Sequence, residues 1–180
     1  MKKTCLQRYH SVYNRHAEFL RQHPIFLKCL LFANKALTLL FALSFCAVIG
    51  WTAISQIRAK AFDCLAWVAV VGAPICCLIV VGALRLVFPR RRPYNPKGAN
   101  VTPFLQKKMD EKSFPSRHLA SAFIIATLVC AICPILGVVA YLGGLFLGYI
   151  RFALGLHYPT DLLGGGVIGV LCGLCAFFIF

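Results

Sequence analysis

Two long stretches without a charged residue constrain this chain more than any other feature. No charge occurs from Ala36 to Ile57, and none occurs from Leu119 to Ile150. Because about 20 apolar residues in a helix cross a bilayer, the first stretch is long enough for one span and the second is too long. The composition agrees, since 60% of the residues are hydrophobic and 13% are charged, whereas about a quarter are charged in soluble domains. A small polytopic membrane protein is predicted.

Proline and basic residues divide the apolar part of the chain into separate spans. Pro134 lies in the middle of the second stretch, where a helix is expected to end. Arg58 and Lys60 close the first span, which can begin as early as Ile25. The sequence therefore predicts an all-α polytopic membrane bundle. Its five predicted spans are at about residues 36–57, 62–85, 114–133, 135–151 and 159–180.

Residues 1–24 precede the first span and are far more polar. They carry five basic residues. Their apolar residues recur at roughly helical spacing, at Leu6, Tyr9, Tyr13 and Leu20. This pattern is typical of a basic amphipathic helix that lies on a membrane surface, and Pro24 is expected to end it. A disordered basic tail is the alternative. We expect residues 25–180 to form a single membrane domain.

The charge balance is strongly basic, with 19 lysine and arginine residues against five acidic ones and a formal net charge of +14. This excess predicts a polyanionic partner, either nucleic acid or the phosphate-bearing surface of a membrane. Anionic membrane lipids are favoured, because the basic residues adjoin the spans and leave no room for a nucleic-acid recognition fold. Basic residues of the loop 86–114 can either attract such lipids or set the topology. They are Arg90, Arg91, Lys97, Lys107, Lys108 and Lys112.

Five alternating spans place most polar residues of the carboxyl-terminal two-thirds on one side of the membrane. Three clusters fall there, at residues 85–93, 113–118 and 151–161. Their arginines, two histidines and one carboxylate suit a phosphate group, because guanidinium groups bind phosphate oxygens in pairs. Ser113 is expected to cap the third span, with Pro115 in its first turn. Free backbone N–H groups at that helix start would then point at the anion.

Two histidines and an aspartate in these clusters can carry out phosphoryl transfer. His157 precedes Asp161 by four residues. A neutral imidazole can attack phosphorus, and a carboxylate that holds its other ring nitrogen orients the ring and stabilises the cation that forms. His118, in the first turn of the third span, can protonate the leaving oxygen. The sequence therefore predicts His157 as nucleophile, Asp161 as its orienting partner and His118 as the acid.

The three clusters resemble the signature motifs of the type 2 phosphatidic acid phosphatase family, membrane phosphatases that share a helical core with the vanadium haloperoxidases. The first motif is Lys, six residues and Arg-Pro. The second is Pro-Ser-Gly-His, and the third is Ser-Arg, five residues, His, three residues and Asp. The matching positions, in the same order, are Arg85, Arg92 and Pro93, then Pro115, Ser116 and His118, then Arg151, His157 and Asp161.

The resemblance implies a role for each matching residue. His157 becomes a phosphohistidine, Asp161 orients it, and His118 protonates the leaving group. The phosphoryl oxygens are bound by Arg85, Arg92, Ser116 and Arg151. The family needs neither a metal nor a cofactor, and one acidic residue at the site is a poor ligand set for magnesium. Two Cys-x-x-Cys pairs lie within apolar spans, where packing is a simpler explanation than metal binding.

Three positions depart from the family motifs. Arg85 replaces a lysine and keeps its charge, whereas Ile150 replaces a serine and removes a hydroxyl group. Arg117 replaces a glycine beside the predicted acid, and a glycine there lets the backbone approach the phosphate closely. The Arg117 side chain can instead contact the phosphate or the lipid headgroup, so we predict that it binds substrate.

Together these residues predict a membrane lipid phosphate phosphatase that hydrolyses a phosphomonoester or pyrophosphate through a phosphohistidine. The resemblance suggests phosphatidic acid, phosphatidylglycerophosphate or a polyprenyl diphosphate as the substrate. Two alternatives are a non-catalytic membrane protein that binds lipid phosphates with a degenerate site, and a lipid phosphotransferase. The sequence does not indicate the oligomeric state.

The expected location is the bacterial cytoplasmic membrane, where the chain is an integral multi-pass protein. The resemblance suggests a site that faces away from the cytoplasm. The charges favour the opposite orientation. If the four motif arginines and Lys35 are excluded, the side that holds the site carries twelve basic residues and the other side carries two. Because basic flanks prefer the cytoplasm, the charge count predicts a cytoplasmic amino terminus and a cytoplasmic site.

Overall fold

The computed structural model describes residues 2–105 and 112–178. In the first helix, side chains are described for residue 7 and for residue 9 and those after it. Leu6, Lys107 and Lys108, for which the sequence predicts roles, lie outside the described residues and side chains. The described residues form helices and no strand, which confirms the all-α prediction. The helices are α1 Lys2–Gln22, α2 Pro24–Ala59, α3 Cys64–Val87, α4 Arg117–Ile132, α5 Pro134–Ala153 and α6 Pro159–Phe177. One π-helical turn, Val68–Gly72, lies within α3.

Prolines determine where several of these helices begin. Pro24, Pro134 and Pro159 each open a helix, a position where the missing backbone N–H costs nothing. Pro134 follows Cys133, whose extended backbone separates α4 from α5. The predicted division of the long apolar stretch at Pro134 is therefore confirmed.

Four of the helices, α2, α3, α5 and α6, are long and apolar enough to cross a membrane. The helix α4 is also apolar but has only 16 residues, so that it is about 24 Å long. It begins at Arg117 rather than near the predicted residue 114. The helix α4 packs against α2, α3, α5 and α6, and eight of its residues are buried, so that it does not need to face lipid along its length.

The outer surfaces of the long helices are apolar. In the most hydrophobic part of α2, only 17% of the residues are buried inside the protein, and the corresponding share for α3 is 28%. A soluble protein rarely exposes so large an apolar surface, and in a bilayer that surface faces lipid tails. The chain is an integral multi-pass membrane protein.

Glycines allow the backbones of α4 and α6 to approach each other closely. A methyl group at Gly165 would overlap the carbonyl oxygen of Ser116, and one at Gly169 would overlap the carbonyl oxygen of Ala120. Small residues of this kind drive close helix packing in membranes. This contact brings the first turn of α6 beside the first turn of α4, where the predicted second and third clusters meet.

The helix α1 packs on the protein rather than extending from it as a disordered tail. Its predicted apolar face is buried, with Tyr9 8%, Tyr13 1% and Leu20 2% exposed. The Tyr13 hydroxyl donates to the carbonyl of Thr102 at 2.7 Å. These residues are therefore unavailable to the bilayer. Contact between α1 and the membrane remains a prediction, for which the exposed Val12 and Phe19 are the available apolar side chains.

Candidate active site

Buried polar side chains gather at one end of the bundle, where α3 and α5 end and α4 and α6 begin. Several of them belong to the predicted site: Arg85, Arg92, Ser113, Ser116, Arg151, His157 and Asp161. Arg85 lies in the last turn of α3 and Arg151 in the last turn of α5. Asp161 lies in the first turn of α6. The three sequence clusters therefore meet in three dimensions.

Asp161 is the centre of the hydrogen-bond network at this end. Its side chain is fully buried, and its Oδ1 accepts from Arg90 Nη1 at 2.8 Å. Its Oδ2 accepts from Ser113 Oγ at 2.5 Å and from the backbone N–H of Tyr158 at 3.0 Å. The last bond caps the start of α6. Both carboxylate oxygens are thus used, as a buried charge requires.

His157 lies in the turn between α5 and α6 and is 2% exposed. Its Nδ1 is 3.7 Å from Asp161 Oδ2, which is an ion-pair distance but longer than a good hydrogen bond. Burial lowers the pKa of His157 below the ordinary value, and the positive charges of Arg92 and Arg151 act in the same direction against the opposing effect of Asp161. Burial therefore favours the neutral form of the imidazole.

Ser116 Oγ and Arg151 Nε are buried without a protein partner in the part of the chain that the structure describes. Ser116 is the N-cap residue of α4 but makes no side-chain capping bond. Buried polar atoms without a partner are rare in folded proteins and usually face a ligand or water. Together with the free N–H groups of the α4 first turn, these atoms suit an anion.

Arg85 connects the first cluster to the second. Its side chain is 4% exposed, and its Nε donates to the Pro115 carbonyl at 3.0 Å. The backbone N–H of Ser116 donates to the carbonyl of Asp161 at 2.9 Å. These bonds fix the backbone that carries Ser116 relative to the carboxylate of Asp161.

His118 and Arg117, in the first turn of α4, line a cavity of about 240 Å³. The rest of its wall is mainly apolar and comes from α2, α4 and α5: Thr38, Phe41, Ala42, Ser121, Ala122, Ile125 and Leu147. Arg117 is exposed. The predicted acid therefore borders a mainly apolar cavity and lies two residues after Ser116 in the sequence.

Two expectations from the sequence need correction. Ser113 does not cap α4, and Pro115 is not in its first turn, because Ser116 is the N-cap. The Ser113 hydroxyl instead donates to Asp161, which holds residues 113–116 outside the helix. The sequence groups Arg90 with the basic residues that attract lipid or set the topology, whereas the structure shows that it forms an ion pair with Asp161. Three consecutive arginines occur at residues 90–92, and composition alone cannot show which of them turns inward.

The described residues contain no group of three or more His, Cys, Asp or Glu side chains that could hold a metal ion. The cysteines of the two Cys-x-x-Cys pairs, Cys130, Cys133, Cys172 and Cys175, are free thiols. The carboxylate of Asp161 already accepts three hydrogen bonds. The described buried polar side chains of the site are arginines, serines, a histidine and the Asp161 carboxylate.

Comparison with known proteins defines the class to which this fold and site belong. The family model of the PAP2 superfamily matches residues 66–180, and the chain belongs to this superfamily. The match includes all three clusters, and it excludes α1 and α2.

Three relatives are similar to the chain. A lipid A 4'-phosphatase from Bacteroides thetaiotaomicron is 35% identical over 101 residues, which are 53% of this chain and 45% of that protein. The aligned region thus spans less than half of that relative. The crystal structure of LpxE from Aquifex aeolicus superposes with a TM-score of 0.56 at 24% identity, covering 84% of this chain and 94% of that one. The crystal structure of a PAP2 type phosphatidylglycerolphosphate phosphatase from Bacillus subtilis superposes with a TM-score of 0.56 at 17% identity. This match covers 95% of this chain and 93% of that one.

Proposed function

We propose that this protein is a membrane lipid phosphatase that hydrolyses a phosphomonoester or diphosphate of a lipid through a phosphohistidine. One observation carries the proposal. The buried imidazole of His157 faces the Asp161 carboxylate at the end of the bundle that also holds Ser116 Oγ and Arg151 Nε, two buried atoms without a partner among the described residues. Membership of the PAP2 superfamily supports the same assignment.

In the first step, His157 Nε2 attacks the phosphorus of the lipid phosphate. Nδ1 faces Asp161 Oδ2, so that the carboxylate stabilises the positive charge that develops on the ring. The oxygens of the five-coordinate phosphorus are bound by Arg85, Arg92, Arg151 and Ser116. The bond between phosphorus and the leaving oxygen breaks, and His118 supplies a proton to that oxygen.

In the second step, water attacks the phosphohistidine and releases inorganic phosphate. His118, which has lost its proton, accepts one from the attacking water. His157 returns to the neutral form, and the enzyme is ready for another cycle. The cationic atoms that bind the phosphoryl oxygens are the same in both steps, so that neither step requires a rearrangement of the site.

The substrate is proposed to be phosphatidic acid, phosphatidylglycerophosphate or a polyprenyl diphosphate. The names of the relatives, a lipid A 4'-phosphatase and a phosphatidylglycerolphosphate phosphatase, support a phosphorylated lipid. Phosphate release by the purified protein from each lipid in detergent tests the proposal. A protein that binds these lipids and releases no phosphate from any of them would be a non-catalytic lipid-binding relative.

Activity is expected to persist in excess chelator and to be blocked by vanadate. The reason is that arginines bind the phosphoryl oxygens, while the one carboxylate is engaged by Arg90, Ser113 and the Tyr158 backbone. Vanadate can adopt the five-coordinate geometry with His157 as an axial ligand. Phosphate release is measured with chelator, with added magnesium and with increasing vanadate. Complete loss in chelator that magnesium restores would contradict the mechanism.

Replacing Arg117 by glycine is expected to change KM or the choice of lipid more than kcat. Arg117 lies at the wall of the apolar cavity beside His118, where the lipid part of the substrate would pass from the anion site. The measurement is kcat and KM for several lipid phosphates, with Arg58→Gly at the exposed end of α2 as the control. Values within about twofold of the wild type for every lipid would show that the Arg117 side chain does not contact substrate.

A further inference from the structure

Arg90 makes three contacts that no feature of the sequence distinguishes. Its Nη1 donates to Asp161 Oδ1 at 2.8 Å and to Thr160 Oγ1 at 2.6 Å. Its guanidinium carbon lies 4.3 Å from the centre of the Tyr158 ring. Although 41% of the side chain is exposed, the guanidinium group is therefore held on two sides.

The two oxygens of the Asp161 carboxylate have different partners. Arg90 takes Oδ1, which leaves Oδ2 for Ser113, the Tyr158 backbone N–H and His157 Nδ1. The bond from Arg90 Nη1 holds Oδ1 in place, which limits rotation of the carboxylate. Oδ2 thereby stays directed toward the imidazole.

We propose that Arg90 is a positioning residue for the His157–Asp161 pair, an inference that rests on the phosphatase function proposed above. It contacts the carboxylate that faces the nucleophile, so that it acts through Asp161. The role differs from that of Arg92 and Arg151, whose charges act on His157 itself.

The amino-terminal helix α1 packs against Tyr158, the residue on whose ring Arg90 lies. The Tyr158 ring, on which the guanidinium lies, has its centre 4.8 Å from that of Tyr9 in α1. Tyr9 in turn contacts the rings of Phe152 and Tyr13, at 5.9 Å and 6.0 Å between centres. Tyr9 is 8% exposed. Aromatic contacts thus join α1 to Tyr158, whose ring contacts Arg90. Arg90 in turn binds Asp161, the residue that faces His157.

Loss of Arg90 is expected to change the ionisation of His157. Among the described residues, the charged groups that act on His157 are Asp161, Arg92 and Arg151, and Arg90 forms an ion pair with the first of them. Without Arg90, the carboxylate acts more strongly on the imidazole and favours its protonated form, so that the pKa of His157 rises. Because the nucleophile must be neutral, the loss of activity at low pH should then begin at a higher pH than in the wild type.

The test compares Arg90→Gln, Arg90→Lys and the control Arg58→Gln, which removes an exposed arginine at the end of α2. In Arg90→Gln, kcat should fall by about 10- to 100-fold with little change in KM, the loss expected for a bond to a charged group. The acidic limb of the pH profile should move upward. The conservative variant Arg90→Lys keeps the positive charge and should recover part of both losses.

A titration separates this proposal from the phosphatase function. The ring signals of His157 are followed by NMR in histidine-labelled protein in detergent and identified by their absence in His157→Ala. A higher pKa of His157 in Arg90→Gln than in the wild type supports the proposal, even if no lipid is hydrolysed and the phosphatase function fails. If the pKa of His157 is unchanged in Arg90→Gln, or if this variant raises KM without lowering kcat, the positioning role is wrong. Neither result would contradict the phosphatase function.

Discussion

Replacing His157 by alanine is expected to abolish phosphate release from every lipid that the wild-type protein hydrolyses. The neighbouring carboxylate of Asp161 cannot take over as the nucleophile, because it is occupied by Arg90, Ser113 and the Tyr158 backbone. Without the imidazole, no phosphohistidine can form. The measurements are steady-state phosphate release and acid-quench trapping of the phosphorylated protein.

A matched control for this variant is His10→Ala, which removes an exposed histidine of α1. It should leave both turnover and the trapped intermediate unchanged. His157→Ala should still fold, because burial of a smaller side chain leaves the glycine contacts of α4 and α6 in place. Near-normal turnover in His157→Ala would contradict covalent catalysis by this residue and would favour direct attack by water.

Replacing His118 by alanine is expected to slow the hydrolysis of alkyl lipid phosphates by about 100-fold or more, as for the loss of a general acid. The effect should depend on the leaving group. A lipid alcohol is a poor leaving group and needs the proton, whereas an aryl phosphate such as p-nitrophenyl phosphate leaves without it. His118 lines a mainly apolar cavity, as expected for a group that protonates a lipid alcohol.

The measurement is the ratio of kcat/KM for the lipid and the aryl phosphate in His118→Ala and in the wild type. Ser121→Ala is the control, because Ser121 lines the same cavity one turn along α4 and carries no proton for the reaction. An equal loss for both substrates would assign His118 to phosphate binding rather than to protonation of the leaving group.

Much of the fold could be predicted from the sequence, because apolar length and proline position are local properties. The spans at α2, α3, α5 and α6 and the break before Pro134 follow from them. The start of α4 could not be predicted in this way. It depends on two bonds to Asp161, one from Ser113 Oγ and one from the Ser116 N–H, and these connect residues that are far apart in the sequence.

The site was predictable where spacing carries the information. His157 and Asp161 are four residues apart and lie on one side of the turn into α6, as the sequence indicated. Arg90 was not predictable, because its function depends on how the loop after α3 folds back onto Tyr158 and Thr160. The packing of α1 on the protein could not be predicted from the sequence either. It depends on Gly155, whose φ of 73° and lack of a side chain leave room for the Tyr13 ring.

The close contact of α4 with α6 limits the routes by which a lipid can reach the phosphate site. At Gly165 and Gly169 the two helices meet without an intervening side chain, so that parting them would separate Asp161 from Ser116 and dismantle the site. The cavity residues His118, Ala122 and Ile125 lie on the opposite face of α4. A lipid is therefore expected to approach by a route other than the one between α4 and α6.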